Sequence, residues 1–238
     1  MADMAAQVSA SLDALTREFD IVAHNMANVS TAGFKRRCNS FTQALEAQEE
    51  GGEQGESQEA FDFSQGALVQ TNRTLDLALH GEGFFMLESP EGPLYTRHGI
   101  FHTNQNGQIV DSAGRLVAGT AGPLIVPSSV GVSEVHITAD GRVGSGQAAI
   151  GQIRIVDFPE AKDQLVPAGL NCFRAPKDVE PVDAANVTIK QGYKEASNVK
   201  LVEEMVNMIL VSRMYEATMK LVNVKKDTTN SAIGVAMG

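Results

Sequence analysis

The residues of this 238-residue chain that could do chemistry are five histidines, two cysteines and a few carboxylate pairs. His98 and His102 lie four positions apart. On an expected strand they would share one face, the beginning of a metal site, but no obvious third ligand accompanies them. His24, His80 and His136 stand alone, so surface or turn roles are expected for all of them. Cys38 and Cys172 lack CxxC spacing and read as unpaired thiols rather than zinc ligands or a disulfide. Glu203 and Glu204 could be a general acid/base pair, yet adjacent helical residues diverge by about 100° and cannot flank one substrate. "HGEGFF" and "GRVGSG" look superficially like phosphate loops. Met86 occupies the place of the third glycine of GxGxxG, no GK[ST] follows, and no βαβ pattern surrounds them. Their glycines are expected in tight turns. With no GxSxG elbow and no clustered Ser, His and Asp, neither a catalytic site, a metal nor a cofactor is expected.

The elements around these residues are legible from where helix breakers fall. All eight prolines lie between Pro90 and Pro181, and glycine is missing from residues 1 to 32 and 193 to 233. Both ends should therefore be helical around a central region of strands and turns. In the N-terminal segment Val8, Leu12, Leu15, Phe19, Val22 and Met26 alternate spacings of four and three, an a/d seam that needs a partner helix. The C-terminal segment offers Val199, Val202, Val206, Leu210, Met214, Ala217, Leu221 and Val224, while Met205, Ile209 and Val211 widen this stripe beyond one partner. Three consecutive spacings of four between Val202 and Met214 form a stutter. Asn198 is the expected N-cap, with Ser197 as competitor. Lys225 and Lys226 suit the C-terminal end of the dipole.

Between the helices, "LDLALHGEGFFML" alternates Leu75, Leu77 and Leu79. "NQNGQIV" and "TADGRVG" carry the hairpin dipeptides Asn106-Gly107 and Asp140-Gly141. "IGQIRIVDF" is expected to alternate Ile153, Ile155 and Asp157 against Gln152, Arg154 and Val156. The predicted fold is α+β: N- and C-terminal helices pairing as a coiled-coil-like axial domain (residues 1–33 and 197–238), an extended connector (34–70 and 176–196), and a mainly antiparallel β domain (71–175). Residues 46–60, with six Glu and no basic residue, read as a solvated linker.

The 43% hydrophobic content supports a buried core. A net charge of -10 argues against a phosphate backbone as partner, so no nucleic acid is expected. The opening residues show neither a basic leader nor a long apolar run, so neither a cleaved signal nor membrane insertion is expected.

The stretches "NMANVSTAGFKR", "LDLALHGEGFFML", "LYTRHGIFHTNQNGQIVDSAGRLVAG", "IGQIRIVDF" and "SNVKLVEEMVNMILVSRMYEATMKL" resemble, in order, blocks of the bacterial flagellar rod and hook proteins, nearest the basal-body rod members. The resemblance implies a structural subunit exported unfolded by the flagellar type III apparatus, without a cleaved signal. It then self-assembles with other rod and hook subunits into the hollow, periplasm-spanning rod that transmits torque for motility. The terminal helices would line the channel. That makes Val8, Leu12, Leu15, Phe19, Val22, Met26, Val199, Val202, Met205, Val206, Ile209, Leu210, Leu221 and Val224 the expected packing and assembly residues. Asn25, Asn28, Gly33 and Phe34 would form the exit where the chain leaves the first helix, with Gly33 supplying freedom in φ and Phe34 anchoring the turn. Lys35, Arg36 and Arg37 could then pair with acidic surfaces of adjacent subunits. The segment after Phe41 is short and Glu-rich, and "DTTNSAIGVAMG" loses the seam; both depart from the family pattern. Two other readings are a soluble β-domain binding module that forms a closed oligomer through its end helices, and a hydrolase or metal enzyme dependent on His98 or His102.

Overall fold

The runs 1–32 and 193–233, free of glycine and proline, supply one helix, α1 (Ala2–Ala27), and nearly all of a second, α2 (Leu201–Ala236), which reaches past Gly234. The computed structural model describes residues 2–39, 59–146 and 148–236, with side chains for 8–38, 60–146 and 148–224. Most of the Glu-rich segment 46–60 and the side chains of the C-terminal tail lie outside the described residues. The chain forms two compact units, one holding both helices, the other Asn28–Arg36 and Phe61–Val199. The fold is α+β, with a mainly antiparallel β domain between the helices in sequence.

In the β unit a ten-stranded sheet runs Val166–Pro167, Cys172–Arg174, Leu94–Thr96, Phe84–Glu88, Leu116–Gly119, Ile109–Val110, His102–Thr103, with further strands joining its middle. Val135–Ile137, Arg142–Ser145 and Ala148–Gln152 make a three-stranded meander. Leu77–Gly81 pairs with Val187–Gln191, and Leu68–Gln70 pairs with Tyr193–Glu195. Strands from the segments 34–70 and 176–196 thus pair with each other and with the strand Leu77–Gly81.

The two hairpin dipeptides fold alike. Gly107 donates its N–H to the Asn104 carbonyl and Gly141 to the Thr138 carbonyl, and their φ values of 74° and 86° explain why glycine ends each turn. Leu75, Leu77 and Leu79 are all buried in an aliphatic core with Phe85, Phe101 and Ile153. A second core is aromatic: Phe84, Tyr95, Phe158 and Phe173, with Phe61 and Phe63 packed edge-on against Phe173.

Two local expectations are corrected. "IGQIRIVDF" is divided between the strands Ala148–Gln152 and Ile155–Asp157, and Val156, expected on the polar side, is fully buried. Both faces are covered there, Ile155 by the aliphatic core and Val156 by the aromatic one, so alternation of polarity is lost. Asn198 does not cap α2. The first helical bond runs from the Glu204 N–H to the Lys200 carbonyl, and the Asn198 side chain instead ties loops, accepting from the Arg36 N–H at 2.7 Å and donating to the Asp62 carbonyl at 2.7 Å.

Candidate helix-exit and assembly site

α1 ends two residues after Asn25, a fully buried amide that acts as a piece of backbone. Its Nδ2 donates to the Arg37 carbonyl at 2.8 Å and its Oδ1 accepts the Arg37 N–H at 2.9 Å. This two-bond pairing is the geometry a strand neighbour would supply, and it adds to the partner that the strand Arg36–Asn39 already has in Glu59–Asp62. Asn28 closes the turn itself: its carbonyl accepts the Thr31 N–H and its Oδ1 accepts the Thr31 hydroxyl, both at 3.1 Å.

Gly33 has φ +65°, and its N–H donates to the Glu195 carbonyl at 2.8 Å. A Cβ here would stand 2.4 Å from the His98 nitrogen and 2.6 Å from the Arg97 carbonyl carbon. Both the left-handed conformation and the close backbone approach require glycine. Phe34 is buried beside it.

Lys35 corrects an expectation: it does not reach outward but is 2% exposed and bonded within its own unit. Its Nζ donates to Glu195 Oε1 at 2.7 Å and to the Ser64 carbonyl at 2.6 Å. Arg97, not among the expected site residues, donates its Nε to Glu195 Oε2 at 2.9 Å. Its other nitrogens cap the carbonyls of Gly81 and Gly83, at 2.9 and 2.6 Å from Nη1. The Gly66 N–H completes the Glu195 carboxylate at 3.0 Å. One buried acid therefore joins the exit turn, the strand before α2 and the "HGEGFF" loop, whose glycines supply carbonyls to a cation rather than amides to a phosphate. Burial pushes the Lys35 ammonium below its ordinary pKa, with Glu195 opposing that shift.

In the helical unit the two helices meet on an unexpected face of α2. Its less exposed positions include Glu204, Met208, Val211, Ser212, Thr218, Met219 and Val222, at heptad-like spacings. The apolar pattern missed this stripe because Glu204, buried completely, and Thr218 interrupt it. The stripe expected to meet α1 stands outward instead. Val202, Met205, Val206, Ile209, Leu210, Met214, Leu221 and Val224 are each at least half exposed. Of the expected α1 seam, Val22 is buried, Val8, Leu12, Leu15 and Met26 are half-buried, and Phe19 is 40% exposed. Val199, just before α2, is buried. Leu15, Phe19, Val211 and Tyr215 line an apolar notch of about 360 Å³, with Thr16, Ser212 and Glu216 at its walls.

The chemical candidates do not converge. His98 is half-buried, with its pKa lowered by burial against the pull of Asp111 and Asp76, whereas His102 is exposed. Neither Cys38 nor Cys172 is in a disulfide, and burial raises the pKa of the Cys172 thiol. No group of His, Cys, Asp and Glu that could hold a metal occurs among the described residues. No helix among them is long and apolar enough to cross a membrane.

Comparison with known proteins fits a site built for packing. The flagellar hook protein FlgE/F/G D1 domain matches residues 78–145, and the flagellar basal body rod FlgEFG protein C-terminal domain matches residues 190–235. The flagellar basal-body rod protein FlgF of Caulobacter vibrioides is 33% identical over 227 residues, covering 92% of this chain and 91% of the relative. The chain belongs to the flagellar basal-body rod protein family. The rod protein FlgG of Buchnera aphidicola subsp. Schizaphis graminum is 31% identical over 243 residues, 89% of this chain and 91% of the relative. FlgG of Bacillus subtilis is 29% identical over 249 residues, 92% and 93% of the two chains. This rod-family chain is thus a structural subunit of the flagellar basal body, not an enzyme, and assembles with other rod and hook subunits.

Proposed function

We propose that this subunit polymerises through α1 and α2 into the hollow, torque-transmitting tube of the rod. The outward apolar stripe of α2 carries the reading. A fully buried large aliphatic side chain contributes about 1.5–3 kcal/mol. Eight such residues left half exposed or more are a large unsatisfied surface on one subunit. Neighbouring helices covering that stripe in coiled-coil fashion would remove it from water. Because a stripe on one helix face meets a different face of the next copy, such contacts are heterologous and grow as an open helix rather than closing.

In this reading residues 1–33 and 197–238 are the axial part, 34–70 and 176–196 the connector, and 71–175 the outer β domain. Asn25, Asn28, Gly33 and Phe34 set the direction in which the chain leaves α1. Family membership supports the remaining steps: passage unfolded through the flagellar export apparatus, without a cleaved signal, and incorporation into the periplasm-spanning rod.

The test is a pair of charge insertions, Leu15→Asp in the α1 seam and Val206→Asp on the α2 stripe. Both should abolish basal-body formation and motility while leaving the thermal unfolding of the β unit unchanged. Normal motility in both variants would overturn the proposal. Purified wild-type chain should scatter light with a mass that keeps rising with concentration; a fixed small oligomer would instead identify a closed binding module.

A further inference from the structure

The hairpin between the strands Val166–Pro167 and Cys172–Arg174 has a tip that its own fold does not explain. Gly169, Leu170 and Asn171 follow one another with φ of +79°, +49° and +57°. For a bulky residue the left-handed region is unfavourable, and such strain persists only where the surroundings enforce it. They do so here. The Ala168 N–H donates to the Cys172 carbonyl at 2.8 Å and the Cys172 N–H to the Gly169 carbonyl at 3.0 Å. The Thr96 hydroxyl donates to the Asn171 carbonyl at 2.7 Å, and Asn171 Nδ2 reaches the Ala32 carbonyl at 3.4 Å. Asn suits this conformation and Gly is indifferent to it, but Leu is a poor choice at the second position. Its side chain stands largely in solvent, since Leu170 is 68% exposed. A strained backbone is holding an aliphatic knob out in water.

The helical unit holds the complementary shape. The notch of about 360 Å³ is lined by Leu15, Phe19, Val211 and Tyr215 and is roomier than one isobutyl group. A projection and a receptor on different parts of one chain are what an open-ended, heterologous contact requires. We infer that Leu170 is a docking knob that seats in the α1–α2 notch of a second copy of this chain. The inference rests on the proposed polymerisation and adds to it a specific contact between the β hairpin of one subunit and the helices of another. The rigid tip contributes by being ordered before binding, so that little entropy is lost on docking.

The test uses full-length chain with the photoreactive residue benzoylphenylalanine in place of Leu170, irradiated as dilute monomer and as polymer. Cross-links to residues 15–19 and 211–216 between chains, in the polymer only, are expected. Cross-links confined to other segments would overturn the inference. Leu170→Gly separates the knob from folding: relief of strain should leave the melting temperature of dilute chain unchanged or higher, while the concentration needed for polymer growth rises at least tenfold. An unchanged threshold would refute the docking role and leave polymerisation standing. A wild-type chain that never polymerises would instead remove the reading beneath it.

Discussion

Replacing Glu195 tests the structural argument most directly, because three groups converge on one carboxylate with no exposed side-chain surface. Glu195→Ala would leave the Lys35 ammonium, 1% exposed, and the Arg97 guanidinium, 4% exposed, without a counter-charge. Removing one partner of a buried ion pair typically costs about 3–5 kcal/mol, since the remaining charge stays desolvated. The Gly66 N–H would lose its acceptor as well, which adds roughly 1–3 kcal/mol unless water enters. Rehydration of Lys35 offsets part of this, since burial lowers the pKa of its ammonium in the folded chain. The expected loss is therefore about 4 kcal/mol, a large share of the roughly 5–15 kcal/mol that a domain possesses. Urea unfolding of dilute full-length chain, followed by circular dichroism, reads it as a lower midpoint at constant slope. Lys35→Met combined with Glu195→Gln should be less harmful than the two single losses added together, with a coupling of about 0.5–3 kcal/mol. A Glu195→Ala loss below about 1 kcal/mol, or strict additivity of the pair, would refute the view that this triad holds the exit turn.

Asn25→Ala removes both bonds to the half-buried Arg37 backbone, so a loss of about 1–3 kcal/mol is expected. The change should appear as faster amide exchange at Arg37, while exchange at Leu87 in the aliphatic core stays unaltered. His98, whose folded pKa is lowered by burial, binds its proton less readily than in the unfolded chain. Stability should therefore be complete above the unfolded value near 6.5 and fall as pH drops through the folded value. Urea midpoints measured from pH 7.5 to 5 should show this slope, and it should flatten in His98→Gln.

The element types were written in the sequence, because the residues that punctuate structure act locally. The runs 1–32 and 193–233, without glycine or proline, allow helices, and Asn106-Gly107 and Asp140-Gly141 end their turns with the positive φ that glycine tolerates. Family membership was likewise legible in five ordered blocks. The exit residues stood out through their types, although nothing in sequence showed that the Asn25 amide would bond the Arg37 backbone as a strand would.

Tertiary structure decided what those local signals could not reach. The face of α2 that meets α1 includes Glu204 and Thr218, which no apolar periodicity would choose, while the more hydrophobic stripe was left outward. Glu195 lies 160 residues from Lys35 and 98 from Arg97, so nothing short of folding brings their charges together. The strain at Leu170 is equally invisible in sequence, since it comes from the bonds that close the hairpin around that residue. Backbone propensity and hydrophobic period are properties of neighbours in the chain. Desolvated charge pairs, the choice between two apolar faces and enforced φ angles are properties of neighbours in space.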